Sequence, residues 1–158
     1  MMAQIAAAEA LEPPGTDGNT VPNYLILGGG WGLFKDTAEG NGAAAYLSHL
    51  SWHDIQPEAA VGVASHSSYV MIRALYSFHL DERFAISVGT GPGLYAHHET
   101  APNLGSPVEF LSTLSISART YGQQRLAVAV GHISNAHLTA YNPGSNLIEL
   151  LYEIPLRL

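Results

Sequence analysis

The segment YVMIRALYSFHL, residues 69–80, decides the fold class. On an extended strand successive side chains alternate between two faces. Val70, Ile72, Ala74, Tyr76, Phe78 and Leu80 therefore share one face, and Tyr69, Met71, Arg73, Leu75, Ser77 and His79 the other. A beat of two residues over the whole segment argues for a strand rather than a helix. The sense of the alternation is inverted relative to a soluble sheet. A soluble barrel turns its bulky face inward and coats its outside with Lys, Glu and Asp. Here the bulky face reads as the outside, and the mixed face, with one arginine at its centre, as the inside.

The same texture extends in both directions. In 83–95, Phe84, Ile86, Val88 and Leu94 oppose Ala85, Ser87, Gly89, Gly91 and Gly93. In 106–118, Val108, Phe110, Leu114 and Ile116 oppose Glu109, Thr113, Ser115 and Ser117. In 145–156, Ile148, Leu150, Tyr152, Ile154 and Leu156 oppose Glu149 and Glu153. Further strands are expected at 22–33, 42–52, 57–66 and 123–134. They are separated by turn chemistry at 35–42, at 54–57, at Asp81-Glu82 and at Asn142-Pro143-Gly144. Eight tilted strands of about ten residues, bulky outside and small or polar inside, match the smallest transmembrane barrels. The expectation is an all-β, eight-stranded antiparallel up-and-down transmembrane β-barrel, with 22–158 as its single domain. Arg73 is expected to be compensated in the lumen by Glu109, Glu149 or Glu153, because an unpaired buried charge is costly. The competing reading of the pattern is a soluble, lipocalin-like barrel holding a small apolar ligand.

Composition narrows the function classes. Of 158 residues, 12% are charged and 47% hydrophobic, with a formal net charge of -7. The six cations, Lys35, Arg73, Arg83, Arg119, Arg125 and Arg157, are scattered, so no basic patch invites nucleic acid. The absence of cysteine excludes a disulfide framework or a thiolate metal site. None of the eight histidines has metal-ligand spacing, and His97-His98 reads as a surface pair. The run Gly28-Gly29-Gly30-Trp31-Gly32 is followed by no helical pattern, which fits a crowded barrel strand and not a nucleotide loop. Trp31 and Trp52 read as interfacial anchors or lumen filler. Residues 1–21 read as a flexible lead-in. Their start, MMAQIAAAEALEPPG, lacks the basic region and apolar length of a complete signal peptide, and Ala6–Ala8 is read as a remnant of one.

Chemistry concentrates in GHISNAHLTAYNPG, residues 131–144. His132 and Ser134 are two apart, so on a strand a base and a candidate nucleophile stand side by side. They continue the row of Leu126, Val128 and Val130, while Ala127, Ala129 and Gly131 take the other face. Asn146 likewise shares the face of Ile148 and Leu150. A reactive pair on the outer wall suits an enzyme whose substrate is a membrane lipid.

Three motifs, GSPVEF at 105–110, RLAVAVGHISNAHL at 125–138 and NPGSNLIELLYEIPL at 142–156, resemble the lipid A 3-O-deacylases, the PagL-type family also labelled acyloxyacyl hydrolases. The resemblance implies an eight-stranded barrel of the bacterial outer membrane. It implies hydrolysis of the ester that joins a hydroxyacyl chain to the 3-position of lipid A in lipopolysaccharide, without cofactor or metal. It assigns His132 as base and Ser134 as nucleophile, with Asn135 and the amide of His137 forming the oxyanion hole. The family's acid falls at Asn146, which is not a glutamate here; Glu149, the nearest carboxylate, has lumen parity. The partners implied are the lipid A substrate and membrane lipid, and a homodimer is left open. A non-catalytic barrel of the same family with a structural role is the runner-up, supported by the missing carboxylate. Counting strands from a periplasmic N-terminus puts the 135–145 loop outside the cell and the turns at 81–82 and 119–122 in the periplasm. The C-terminal Pro155–Leu158 lacks the terminal aromatic common in bacterial outer-membrane barrels.

Overall fold

In a computed structural model that describes residues 22–34, 37–98 and 102–156, the chain closes into an antiparallel barrel of eight strands in sequence order. They are β1 (Asn23–Phe34), β2 (Thr37–Leu47), β3 (Ile55–Ala64), β4 (Ser67–His79), β5 (Phe84–His97), β6 (Val108–Arg119), β7 (Arg125–Ser134) and β8 (Ser145–Leu156). β1 pairs with both β2 and β8, so no strand edge is left open. The lead-in 1–21, with its expected signal remnant, lies outside the described residues, as do Lys35, Arg157 and Leu158.

The alternation read from the sequence is the alternation of the wall. Met71 is completely buried, whereas its neighbour Ile72 is 71% exposed. The outward row continues around the cylinder through Leu27, Val61, Val70, Phe78, Val88, Leu114, Val128 and Leu150, all exposed. An apolar belt on this scale has no place on a soluble monomer. Trp31 and Trp52 both stand on the outer surface and neither fills the lumen.

Inside, the barrel is packed and polar. Glu58 and Arg73 face each other directly across β3 and β4. Arg73 donates from Nε to Glu58 Oε1 at 2.9 Å and from Nη1 to Thr113 Oγ1 at 3.0 Å, and its Nη2 also contacts Glu58. This corrects the expected partner: Glu58 holds the arginine, while Glu149 accepts from Asn41 Nδ2 at 2.8 Å. The layer of Glu58, Arg73, Glu149, Leu111 and Leu151 leaves about 30 Å³ free. It lies between a cavity of about 400 Å³ toward the β7–β8 loop end and one of about 530 Å³ toward the opposite end.

The largest boundary difference is β2, which starts at Thr37 and not at 42. Residues 37–42 carry turn-type glycine and asparagine but pair with the glycine run of β1, Gly29 with Gly42, Gly30 with Asn41 and Trp31 with Gly40. Close approach explains that run, since a Cβ on Gly30 would run into the Ile148 carbonyl of β8. The turn between β2 and β3, expected at 54–57, accordingly falls earlier, at 48–54, where Trp52 and Ile55 exchange two backbone hydrogen bonds across left-handed His53 and Asp54.

Candidate active site

Three of the expected site residues meet on the outer wall at the end of the barrel that carries the 102–107 segment and the 135–144 loop. His132 is exposed, Ser134 half-buried, and Ile133 between them points inward and is buried. On β8, Asn146 is exposed and stands directly opposite His132 in the register. The His132 Nδ1 and Asn146 Oδ1 atoms are 2.9 Å apart. With the carboxamide oxygen as acceptor, Nδ1 carries the proton and Nε2 keeps its lone pair. No hydrogen bond joins the ring to Ser134 here, and the Ser134 hydroxyl has no other hydrogen-bond partner among the described residues. Such contacts are often long in the absence of substrate.

Gly144 completes the histidine's seat. It is left-handed, at φ 64°, and a Cβ there would lie 2.7 Å from His132 Cε1 and 2.9 Å from Nε2. The missing side chain is the space the imidazole occupies. In sequence Asn142-Pro143-Gly144 is only a turn signal, and the one hint of this role is that Gly144 shares parity with Asn146.

After Ser134 the chain turns sharply. The Asn135 carbonyl accepts from the Leu138 N–H at 2.9 Å, and both intervening residues, Ala136 (φ 51°) and His137 (φ 62°), are left-handed. This conformation is usually left to Gly, Asn or Asp and costs about 1–2 kcal/mol per residue for others. The N–H groups of Ala136 and His137 donate to no partner among the described residues.

Asn135 differs from its expected role. It is fully buried, on the lumen side shared with Ile133. Its Nδ2 lies within 3.0 Å of the Leu104 carbonyl, the Tyr141 carbonyl and Thr139 Oγ1, and its N–H donates to Asn142 Oδ1 at 3.0 Å. Both donors are thus engaged inside the loop and turned away from Ser134's face. Asn135 braces the 135–144 loop against the 102–107 segment, a contact that Thr139 reinforces through the Gly105 carbonyl at 3.1 Å. Of the expected oxyanion donors, the His137 amide remains unengaged, and the Ala136 amide joins it.

Comparison with known proteins bears on the whole barrel. A family model described as lipid A 3-O-deacylase (PagL) matches residues 27–155. Among solved structures, the crystal structure of the outer membrane enzyme PagL is similar at 20% identity, covering 83% of this chain and 99% of that one, with a TM-score of 0.59. Neisserial surface protein A is similar at 8% identity, covering 85% and 96%, with a TM-score of 0.61. At these identities the two structures speak for the fold. No curated protein matches. The family match reaches into all eight strands and includes Ser134 at the end of β7 and the loop that bears His137 and Gly144: the chain is an outer-membrane β-barrel that belongs to the lipid A 3-O-deacylase (PagL) family.

Proposed function

We propose that this chain is a serine esterase that removes the ester-linked hydroxyacyl chain from the 3-position of lipid A. The observation that carries the reading is the His132–Asn146 hydrogen bond on the lipid-facing wall, with Ser134 on the same face one pleat away. Fixed in the Nδ1–H tautomer, His132 takes the Ser134 proton on Nε2 as the serine oxygen attacks the ester carbonyl. The carbonyl oxygen becomes an oxyanion, for which the backbone N–H groups of Ala136 and His137 are the available donors. One such donor contributes about 3–4 kcal/mol in well-studied hydrolases. His132 then protonates the departing sugar oxygen. Water, deprotonated by the same imidazole, releases the acyl chain from Ser134 as a free fatty acid.

Asn146 orients the ring as the amide does in Cys-His-Asn proteases, but brings no charge to stabilise the imidazolium. That substitution is also the observation favouring a second reading, a non-catalytic barrel of the family. One experiment separates the two: incubation of the purified protein with lipid A in detergent, followed by mass spectrometry of the lipid and of released fatty acid. Wild type is expected to release the 3-linked chain, and Ser134→Ala and His132→Ala to release none. Unchanged deacylation in either variant overturns the assignment, and a folded but inert wild type supports the second reading.

A further inference from the structure

The segment GSPVEF, residues 105–110, converges on Asn135 from behind the wall that carries Ser134. Phe110 pairs with Ser134 on the outward face, so the next step of the β6–β7 ladder sets Glu109 opposite Asn135 on the inward face, level with the start of the loop. Directly opposed side chains have Cβ atoms about 4.5–5.5 Å apart. Gly105, at φ 95°, closes on the same residue: a Cβ there would lie 2.9 Å from Asn135 Nδ2 and would run into the Tyr141 carbonyl. Glu109 and Asn135 are both completely buried. Yet both carboxyl oxygens of Glu109, and Asn135 Oδ1, lack a hydrogen-bond partner among the described residues. The Ser106 N–H approaches the carboxyl without completing a bond. Arg73 is already held by Glu58 and Thr113. On the inward face Glu109 is otherwise flanked by Leu111, Ile133, Gly93 and Tyr95, and the Tyr95 hydroxyl donates to the Pro102 carbonyl at 2.9 Å. A carboxylate in that place would be a buried charge with neither counterion nor donor, a costly state.

We propose that Glu109 is a positioning residue of the esterase: as the carboxylic acid it donates its proton to Asn135 Oδ1, and through Asn135 it holds the turn that presents the Ala136 and His137 amides. The inference rests on the esterase reading above. Turning the Asn135 amide over offers no other solution. Its Nδ2 already faces the Leu104 and Tyr141 carbonyls and Thr139 Oγ1, so Oδ1 is fixed on the far side and needs a donor. Three orphan oxygens can be reconciled by one proton, and a protonated carboxyl is a donor where a carboxylate is not. Asn135 is also the pivot of the turn. Its N–H donates to Asn142 Oδ1, and its carbonyl accepts from the Leu138 N–H across left-handed Ala136 and His137. A side chain left with an unpartnered oxygen would draw back toward the barrel mouth, and the two amides would move with it.

The test compares Glu109→Gln, whose side-chain N–H replaces the acid proton, with Glu109→Leu, which supplies none, each variant first shown to be folded by its heat-modifiable mobility. On lipid A, Glu109→Gln is expected to keep kcat within about twofold of wild type, since one neutral hydrogen bond replaces another. Glu109→Leu is expected to lose about a hundredfold in kcat, as when an oxyanion donor is withdrawn, with KM within about twofold. A Glu109→Leu that keeps its kcat overturns the inference, as does a Glu109→Gln as slow as Glu109→Leu. Two readouts need no turnover and separate this failure from failure of the esterase reading. The infrared difference spectrum between wild type and Glu109→Gln is expected to contain the carbonyl stretch of a protonated carboxyl. Hydrogen exchange at the Asn135 and Leu138 amides is expected to quicken about tenfold in Glu109→Leu and to stay unchanged in Glu109→Gln. Both results from a protein that releases no fatty acid retain the Glu109–Asn135 brace and remove the esterase. Absence of the acid band, or unaltered exchange in Glu109→Leu, removes the brace whatever the activity.

Discussion

Asn146 accepts the Nδ1 proton of His132 at 2.9 Å from the directly facing position of the next strand. The contact is therefore set by β7–β8 register, the most rigid relationship available to two side chains in a barrel, and not by loop conformation. It fixes tautomer and direction, which in the proposed esterase is the part of the acid's task that needs no charge.

Restoring the charge is expected to help. In a serine protease, replacing the acid by its amide costs about 10⁴ in turnover. Asn146→Glu should accordingly raise kcat for lipid A deacylation by one or more orders of magnitude, and Asn146→Leu should lower it at least tenfold. Initial rates of fatty-acid release check both, and a folded Asn146→Glu with no gain would place the orienting acid elsewhere.

Gly144→Ala is expected to damage catalysis more than folding. The left-handed backbone alone costs about 1–2 kcal/mol, and the added methyl would press on the His132 ring edge from 2.7 Å. Gly122→Ala is the control: φ is similar at 61° but nothing lies within 4 Å. Both variants should lose similar stability in urea titration, while only Gly144→Ala should lose kcat, by about a hundredfold for a displaced imidazole.

Breaking the lumen ion pair from one side should be severe. Arg73→Leu strands Glu58, which is only 3% exposed, and removing one partner of a buried pair costs about 3–5 kcal/mol. Arg73→Leu with Glu58→Leu should recover much of that loss. Urea unfolding of the single and double variants in lipid vesicles measures the difference.

Asp81, in the turn between β4 and β5, gives a pH signature far from the site. Its Oδ1 accepts the N–H groups of Phe84 and Arg83, both at 2.7 Å, and these bonds hold the carboxyl below its ordinary value of 3.8. A depressed folded-state value means the charged form favours the fold. Its contribution is present above 3.8 and fades as pH falls through the folded value. Asp81→Ala should therefore lower the urea midpoint at pH 7, with the gap to wild type narrowing as the titration is repeated below pH 3.8.

Much of this architecture is legible in the sequence, for one physical reason. Where bulky and small residues strictly alternate, as from Tyr69 to Leu80, a one-residue slip would invert the wall, so face and strand are fixed together. Where both faces are small, as in residues 37–42, that signal vanishes, and glycine and asparagine look like a turn. Parity also placed His132, Ser134 and Asn146 outside. It was silent on which lumen carboxylate meets Arg73, because that depends on the stagger between β3 and β4. It puts Asn135 on the lumen side with Ile133 but says nothing of its partner Leu104, 31 residues earlier. The role of Gly144 is not legible in sequence, because its partner is a ring atom across the strand pair and not a neighbour in the chain.

Because the imidazole and hydroxyl lie on the outer surface while Arg73 and Glu58 plug the interior, nothing has to pass through the protein for it to work. In the proposed esterase, substrate and product travel sideways in the leaflet, so the quantity that drives turnover is the mole fraction of the lipid in its monolayer. Any amphiphile that coats the same strands then acts as a competitor by dilution in two dimensions.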